Sequence, residues 1–343
     1  MPDRRRGFVT GGTWCVDRNK LVEYWPEEDG LVQILAVEQR GGGSACNFAV
    51  DMRQLDPTMP VATIGLVGDD EDGRFLLAEA DAAGIERGQL HVTAEAPTQY
   101  TDAFGSQRSG RRTHFYFEGT AALLTPAHFD FSQVAGRVFH LGLPGLHRRM
   151  DAARSDAANG WVATLRAAHA AGLLTSLELA SIAPERIAGI VRPCLPHLDF
   201  LIVNDVEIGA LAGAATLRDG RTDVAACARA VQAVAARGRM RLVAAHFPAG
   251  AVALAADGRL IRQPALRVPP GAIAGANGAG DAFAAGTLYG LHEGWDAAQA
   301  LALGRAAAAA SLRGVSTTGT VETWQACLAL AAQWGECDRF DCG

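Results

Sequence analysis

The stretch GANGAGDAF, residues 275–283, is the most informative part of the sequence about the fold. It joins a proline-containing loop to an apolar helical pattern. A helix start exposes four backbone N–H groups without partners, together with the positive end of the helix dipole. Glycine residues let that backbone approach an anion without a side chain in between. The stretch therefore predicts a phosphate-binding helix start with Asp281 in its first turn.

Two other interpretations of this loop stay open at this point. A carboxylate such as Asp281 stabilises a helix start by itself, without any ligand. The order Gly278-Ala279-Gly280 also resembles the beginning of a dinucleotide-binding pattern. The third glycine of that pattern is absent, however, and the loop lies near the end of the chain instead of after a first strand.

Away from the loop, short apolar runs alternate with helical patterns along most of the chain. Repeated strand–helix units favour an α/β fold with a mostly parallel sheet covered by helices on both faces. Residues 14–36 and 92–118 instead predict paired strands, and we expect them to form a small β lid over the site. We expect one domain over residues 1–343, with these two segments inserted. The apolar runs of the main sheet are residues 138–141, 174–177, 200–203 and 242–245.

Composition excludes several classes of protein. The net charge of −6 gives no basic surplus for nucleic acid, and Lys20 is the only lysine, so the GK[ST] phosphate loop is absent. No apolar stretch reaches the roughly 18 residues of a membrane helix, so no membrane partner is expected. Seven cysteines without a CxxC pair fit a reducing cytoplasm.

The sequence resembles the ribokinase-like sugar kinases, the PfkB family, in four stretches that follow one another in the family's order. The resemblance extends from about residue 7 to residue 330 and implies a three-layer α/β/α fold. It also implies that ATP and Mg²⁺ take part in the reaction. The four stretches are Gly42–Ala49, Ile64–Asp70, Asn204–Glu207 and Gly278–Phe283.

This resemblance implies a role for each matching residue of the phosphate side. Asp281 would take the proton from the attacking hydroxyl, and the amides of Gly278, Ala279 and Gly280 would form an anion hole. Asn204 and Glu207 would hold phosphate and magnesium, Glu207 through water. For these last two residues, a turn and a solvated helix start are the alternative.

On the substrate side, the resemblance assigns sugar hydroxyls to four positions. Asp17 would accept hydrogen bonds from hydroxyl groups, and Asn47 can both donate and accept. Gly42 and Gly43 would let the substrate approach the backbone. Arg112 lies on the expected lid, where it would contact substrate; packing of this strand against a partner chain is the alternative. A strand-end turn is the alternative for Asp17.

The sequence departs from the family pattern at two places. Gly275-Ala276-Asn277 replaces a segment that often helps to bind a monovalent cation, so K⁺ stays a possibility against which the replacement argues. Asn277 can still offer its amide to a phosphate. Residues 245–250 replace the Thr-x-Gly that is usual near the adenine site of the family. Gly250 retains the glycine of that turn, and we expect it to lie at the nucleotide.

We therefore expect an ATP-dependent kinase of sugars or sugar acids. A nucleoside kinase of the same fold and a catalytically silent ligand-binding relative are the alternatives. We further expect a cytoplasmic homodimer that associates through the lid strands, because a small sheet with an apolar outer face needs to be covered.

Overall fold

The described part of the chain contains fifteen strands in three sheets. The computed structural model describes residues 5–314 and 316–340. In chain order the strands of this part are β1 (Phe8–Gly12), β2 (Cys15–Val22), β3 (Ile34–Gly42), β4 (Val61–Gly68), β5 (Glu86–Thr93), β6 (Tyr100–Ser106), β7 (Arg112–Phe117), β8 (Val138–Gly142), β9 (Leu174–Leu177), β10 (Phe200–Asn204), β11 (Leu217–Arg218), β12 (Arg221–Thr222), β13 (Leu242–Phe247), β14 (Gly250–Ala255) and β15 (Leu260–Pro264).

The largest sheet has nine strands in the order β15-β14-β13-β10-β9-β8-β1-β4-β5. The seven strands from β13 to β5 are parallel, and β14 and β15 join one edge as an antiparallel hairpin. The prediction of a mostly parallel central sheet is confirmed. Because parallel strands all end at the same edge, the residues that follow them meet there.

Helices cover both faces of this sheet. Alternate residues of β1 point to opposite faces, so Phe8 belongs to one apolar cluster and Val9 to the other. The three-layer architecture is therefore confirmed. In chain order the helices are α1 (Ser44–Leu55), α2 (Glu71–Ala82), α3 (Arg148–Asp151), α4 (Gly160–Ala170), α5 (Pro184–Val191), α6 (Asp205–Ala212), α7 (Val224–Ala235), α8 (Ala279–His292), α9 (Ala297–Ser311) and α10 (Trp324–Trp334).

The two helical layers differ in their members. The first layer contains α1, α2, α8, α9 and α10, and the second contains α4 to α7. None of the helices in the described part of the chain is long and apolar enough to cross a membrane. Five short 3-10 helices complete this part: Gly119–Leu123, Pro126–His128, Phe131–Gln133, Arg192–His197 and Pro270–Ala272.

A separate four-stranded sheet, here called the lid sheet, has the order β3-β2-β6-β7. Its bounds differ from the predicted segments 14–36 and 92–118. Strand β3 continues to Gly42, and residues 92 and 93 belong to β5, which pairs with β4 in the central sheet. That pairing joins distant parts of the chain, so local patterns could not show it. The single domain over residues 1–343 stays a prediction.

Candidate active site

The residues that carry the predicted chemistry gather at the carboxyl edge of the parallel strands. Glu178 follows β9, Asn204 ends β10, and His246 lies near the end of β13 in register with Asn204. The start of α8 and the glycines at the end of β3 border the same region. Ligands of open parallel sheets bind at this edge, so the site lies where the fold favours it.

The start of α8 is built as a cradle without a side-chain cap. Gly278 is the N-cap residue, with φ 72° and ψ 0°, and no side chain caps the amides that follow. A Cβ at this position would lie 2.0 Å from the carbonyl oxygen of Thr317, so only glycine fits. The amides of Ala279 and Gly280 are therefore available to an anion, and the helix dipole favours negative charge there.

Asp281 lies in the first turn of α8, partly buried. The amide Nδ2 of Asn47 donates a hydrogen bond of 3.0 Å to Oδ2 of this carboxylate. Burial, followed by the negative charge of Glu178, raises the pKa of Asp281 well above its ordinary value. The hydrogen bond from Asn47 opposes this shift because it favours the charged form. The carboxyl group therefore holds its proton more tightly than an exposed aspartate.

Glu178 is a member of the site that the sequence reasoning missed. Oε2 of Glu178 forms a hydrogen bond of 2.7 Å with Nε2 of His140, and burial raises the pKa of Glu178 to about 7. His140 stacks on Phe48 with ring centroids 4.0 Å apart, and burial lowers the pKa of its imidazole to about 4. The available signal was the position of Glu178 directly after a short apolar strand.

Another buried carboxyl group, Asp51, lies one turn after Asn47 on α1. It is fully buried, and neither of its oxygens has a hydrogen-bond partner in the described residues. Burial, followed by the charge of Asp281, raises its pKa well above the ordinary value. Burial therefore favours the neutral form of Asp51 near the site, and its motif context did not point to it.

The predicted substrate residues come together around Asp281. A Cβ on Gly42 would lie 2.1 Å from the Asp17 carboxylate, so the side chain of Asp17 covers this glycine. Gly43 has φ 85° and is the N-cap residue of α1, and Asn47 lies one turn later. Burial, with a further contribution from Asp281, raises the pKa of Asp17 to about 6. Oδ1 of the buried Asn47 has no partner in the described residues and can accept a hydrogen bond from a ligand.

Asn204 and Glu207 form a reciprocal cap at the start of α6. Oδ1 of Asn204 accepts from the Glu207 amide at 2.8 Å, and Oε2 of Glu207 accepts from the Asn204 amide at 3.0 Å. Burial raises the pKa of Glu207 to about 7. The two residues therefore have a structural role as a helix cap, but Glu207 is buried and not solvated as the alternative assumed. A ligand role for these residues stays a prediction. Within residues 5–314 and 316–340, no group of three or more acidic, histidine or cysteine side chains could hold a metal ion.

Three further residues border the nucleotide side. The ring of His246 lies beside Gly280, 3.2 Å from the position that a Cβ on Gly280 would take. Burial lowers the pKa of the His246 imidazole to about 4. Asn277 precedes the cap residue and is partly buried. Gly250, with φ 146°, packs so closely on the carbonyl of Gln263 that a Cβ would lie 2.2 Å from it. Packing thus explains the glycine at 250, and nucleotide roles for Gly250 and Asn277 stay predictions.

Arg112 lies on the lid sheet at the start of β7, partly buried, with its side chain across Gly105. Burial lowers the pKa of its guanidinium. It lies four residues before Tyr116, which is in register with Thr101 and, through it, with Asp17. Arg112 therefore shares a face with Asp17 but lies farther along the lid. Contact with substrate stays a prediction.

Comparison with known proteins shows which family model and which proteins this chain is similar to. The family model described as "pfkB family carbohydrate kinase" matches residues 9–324. The adenosine kinase of Schizosaccharomyces pombe is 26% identical over 315 residues, which cover 87% of this chain and 88% of that protein. The ATP-dependent ribose-1-phosphate kinase of Halopiger xanaduensis is 26% identical over 190 residues, which cover 55% of this chain and only 58% of that protein.

Among solved structures, the ribokinase of Arabidopsis thaliana in complex with ribose and ATP is similar in fold. The TM-score is 0.75 at 19% sequence identity, and the match covers 95% of this chain and 99% of that protein. At this level of identity the likeness concerns the arrangement of strands and helices, and it agrees with the architecture described above.

Proposed function

The chain belongs to the pfkB family of carbohydrate kinases, and from this premise we propose that it transfers the γ-phosphoryl group of ATP to a hydroxyl group of a sugar or sugar acid. The observation that carries the proposal is the placement of the Asp281 carboxylate in the first turn of an uncapped helix, hydrogen-bonded to Asn47. One end of the site can thus hold phosphate while the other holds a hydroxyl group.

The proposed reaction needs one proton transfer and one displacement. Asp17 and the free Oδ1 of Asn47 hold the substrate by its hydroxyl groups. Asp281 takes the proton of the attacking hydroxyl as its oxygen forms a bond to the γ-phosphorus. The bond between that phosphorus and the bridging oxygen of the β-phosphate breaks, and ADP leaves. Proton transfer of this kind typically contributes about 10² to 10⁴-fold to the rate.

Charge developing on the transferred group is proposed to face the start of α8. The amides of Gly278, Ala279 and Gly280 would donate to it, and preorganised donors of this kind supply a large share of catalysis. Mg²⁺ keeps much of its own water and prefers oxygen ligands, so phosphate oxygens and a single carboxylate would be enough to hold it here. Glu207 would hold the ion through water, and Asn204 would contact phosphate. Bound Mg²⁺ would neutralise phosphate charge.

The protonation of Asp281 sets the pH dependence of this proposal. A general base acts only in its unprotonated form, so turnover falls as the pH drops below its pKa. Burial and the charge of Glu178 raise that pKa above the ordinary range of aspartate. We therefore expect the acidic limb of the rate profile to lie at higher pH than that of an exposed aspartate.

A nucleoside kinase is the second candidate. The match to a protein named adenosine kinase extends over 87% of this chain, whereas the match to a protein named for a phosphorylated sugar covers 55%. A nucleoside also presents hydroxyl groups of a ribose, so the same residues could bind it.

A homodimer through the lid sheet and a cytoplasmic location remain part of the proposal. Phe115, Phe117 and Val37 share one face of the lid and have 53%, 40% and 64% of their surface exposed. Phe115 and Phe117 lie together on β7, and Val37 lies on the opposite edge strand, β3. Exposed apolar side chains that form a patch commonly mark an interface. A second copy of the chain would cover them.

The test is ADP release with ATP and Mg²⁺ against sugars, sugar acids and nucleosides, with and without K⁺. Turnover of a sugar or sugar acid that requires Asp281 supports the proposal. Turnover of nucleosides only would replace it by the second candidate. Ligand binding without ADP release in any arm would contradict a kinase.

A further inference from the structure

The lid sheet has two faces of different character. Side chains at alternate positions share a face, so Arg112, His114 and Tyr116 of β7 lie on one side. Their partners across the sheet place Asp17 on that side as well. The hydroxyl of Tyr116 donates to the carbonyl of Leu146, in the loop after β8, at 3.1 Å. This face is therefore turned toward the carboxyl edge of the central sheet and the substrate residues.

Cations of the opposite face are neutralised by neighbouring carboxylates. Lys20 forms an ion pair with Asp102, and Arg18 forms one with Asp72 of α2 at 2.5 Å. On the site-facing side, Arg40 is paired with Glu38 at 3.0 Å.

Arg112 differs from these cations. No hydrogen bond or ion pair joins its side chain to another residue within 5–314 and 316–340, although it is partly buried. Its charge is close enough to His114 to contribute, after burial, to the lowered pKa of that imidazole. The site-facing side of the lid thus carries one cation without a counterion, next to a neutral histidine that can donate a hydrogen bond.

The deep part of the site carries acidic groups, in contrast to the cation on the lid. Asp17, Glu178 and Asp281 surround the place where the reacting hydroxyl would lie, and each raises the pKa of a neighbouring acidic group. A negatively charged part of a substrate would be repelled there. Along β7, His114 and Arg112 are about 7 and 13 Å beyond Tyr116, at about 3.3 Å per residue. An extended six-carbon chain covers the first of these distances, so the long side chain of Arg112 would have to reach back over the rest.

We propose that Arg112, assisted by His114, binds an anionic group, a carboxylate or a phosphate, at the end of the substrate opposite to the hydroxyl that is phosphorylated. This inference rests on the proposed function, because it assigns the two ends of its acceptor. It selects acidic sugars or sugar phosphates over neutral sugars and over unmodified nucleosides.

The test measures binding by calorimetry, which does not depend on turnover. The probes are glucose, gluconate and glucose 6-phosphate, together with ribose, ribonate and ribose 5-phosphate. The proteins are wild type, Arg112→Met, Arg112→Lys and, as a control with the same change in charge, Arg111→Met at the adjacent exposed position. ADP release is measured with the same probes.

We expect an anionic probe to bind more tightly than its neutral parent in the wild type. Arg112→Met should weaken that binding about 10- to 100-fold, as expected for loss of a hydrogen bond to a charged group. Arg112→Lys should lose less, and Arg111→Met should match the wild type. The gluconate and phosphate arms decide between carboxylate and phosphate.

Three results would overturn the inference: no anionic probe binds, neutral parents bind at least as well, or Arg112→Met and Arg111→Met behave alike. Turnover of neutral sugars without any preference for anions would leave the proposed function intact and remove this inference. Binding of anions that depends on Arg112, without ADP release, would support this inference and contradict the proposed function.

Discussion

Substitution of Gly278 by alanine tests whether the start of α8 holds the transferred group. A Cβ at this position would lie 2.0 Å from the carbonyl oxygen of Thr317, whereas Cβ contacts shorter than 3.0 Å are essentially not seen. The loop or its neighbour must therefore move by about 1 Å, the difference between the two distances. A misplacement of about 1 Å at a catalytic site can lower the rate on the order of 10²-fold.

The positive φ of Gly278 adds strain that has nothing to do with catalysis. A left-handed conformation destabilises alanine by roughly 1–2 kcal/mol. Gly294, just after α8, also has a positive φ of 82°, but nothing lies within 4 Å of its Cβ position. Gly294→Ala is therefore the matched control, with strain but without the clash.

The assay is kcat from ADP release, with urea unfolding to measure stability. We expect Gly294→Ala to lose about 1–2 kcal/mol of stability with normal kcat. Gly278→Ala should lose more stability and about 10²-fold in kcat. A folded Gly278→Ala protein with the kcat of the wild type would refute the reasoning, because the helix start would then not be needed in its present place.

Three other predictions concern acidity, stability and assembly. Glu178→Gln removes a negative charge that raises the pKa of Asp281, so the acidic limb of kcat against pH should move to lower pH; an unmoved limb would contradict the coupling. Asp51→Asn should stabilise the protein by about 1–3 kcal/mol more at pH 7 than at pH 4, because a raised native pKa lowers stability as the pH rises. An equal change in the free energy of unfolding by urea at both pH values would argue against a raised pKa of Asp51. Phe115→Asp should convert a dimer to a monomer in light scattering, whereas Val92→Asp, with 52% exposure on the central sheet, should not; a dimer in both variants would place the interface elsewhere.

Local patterns in the sequence predicted much of the architecture. The late glycine loop was expected to run into a helix, and it does at α8. These elements depend on periodicity and glycine placement within one segment. The bounds of the lid sheet were predicted less well, because residues 92 and 93 pair with β4 in the central sheet.

In the site, too, residues within one motif could be predicted, whereas residues brought together only by the fold could not. Gly42, Asn47 and Asp281 could be proposed from their motifs and Asp17 from the resemblance, and the structure brings these residues together. Glu178 was missed, because its partners His140 and Asp281 lie on other elements and only the fold makes them neighbours. The reciprocal cap of Asn204 and Glu207 shows that a motif can have a structural explanation beside a chemical one.

The central claim is that Asp281 is the base of a phosphoryl transfer to a hydroxyl group. The most direct measurement compares ADP release by wild type and Asp281→Asn with ATP, Mg²⁺ and the acceptor that the panel identifies, while ATP binding is followed by calorimetry. The account predicts unchanged fold and ATP binding with turnover lower by about 10² to 10⁴-fold. Near-normal turnover of Asp281→Asn would contradict it.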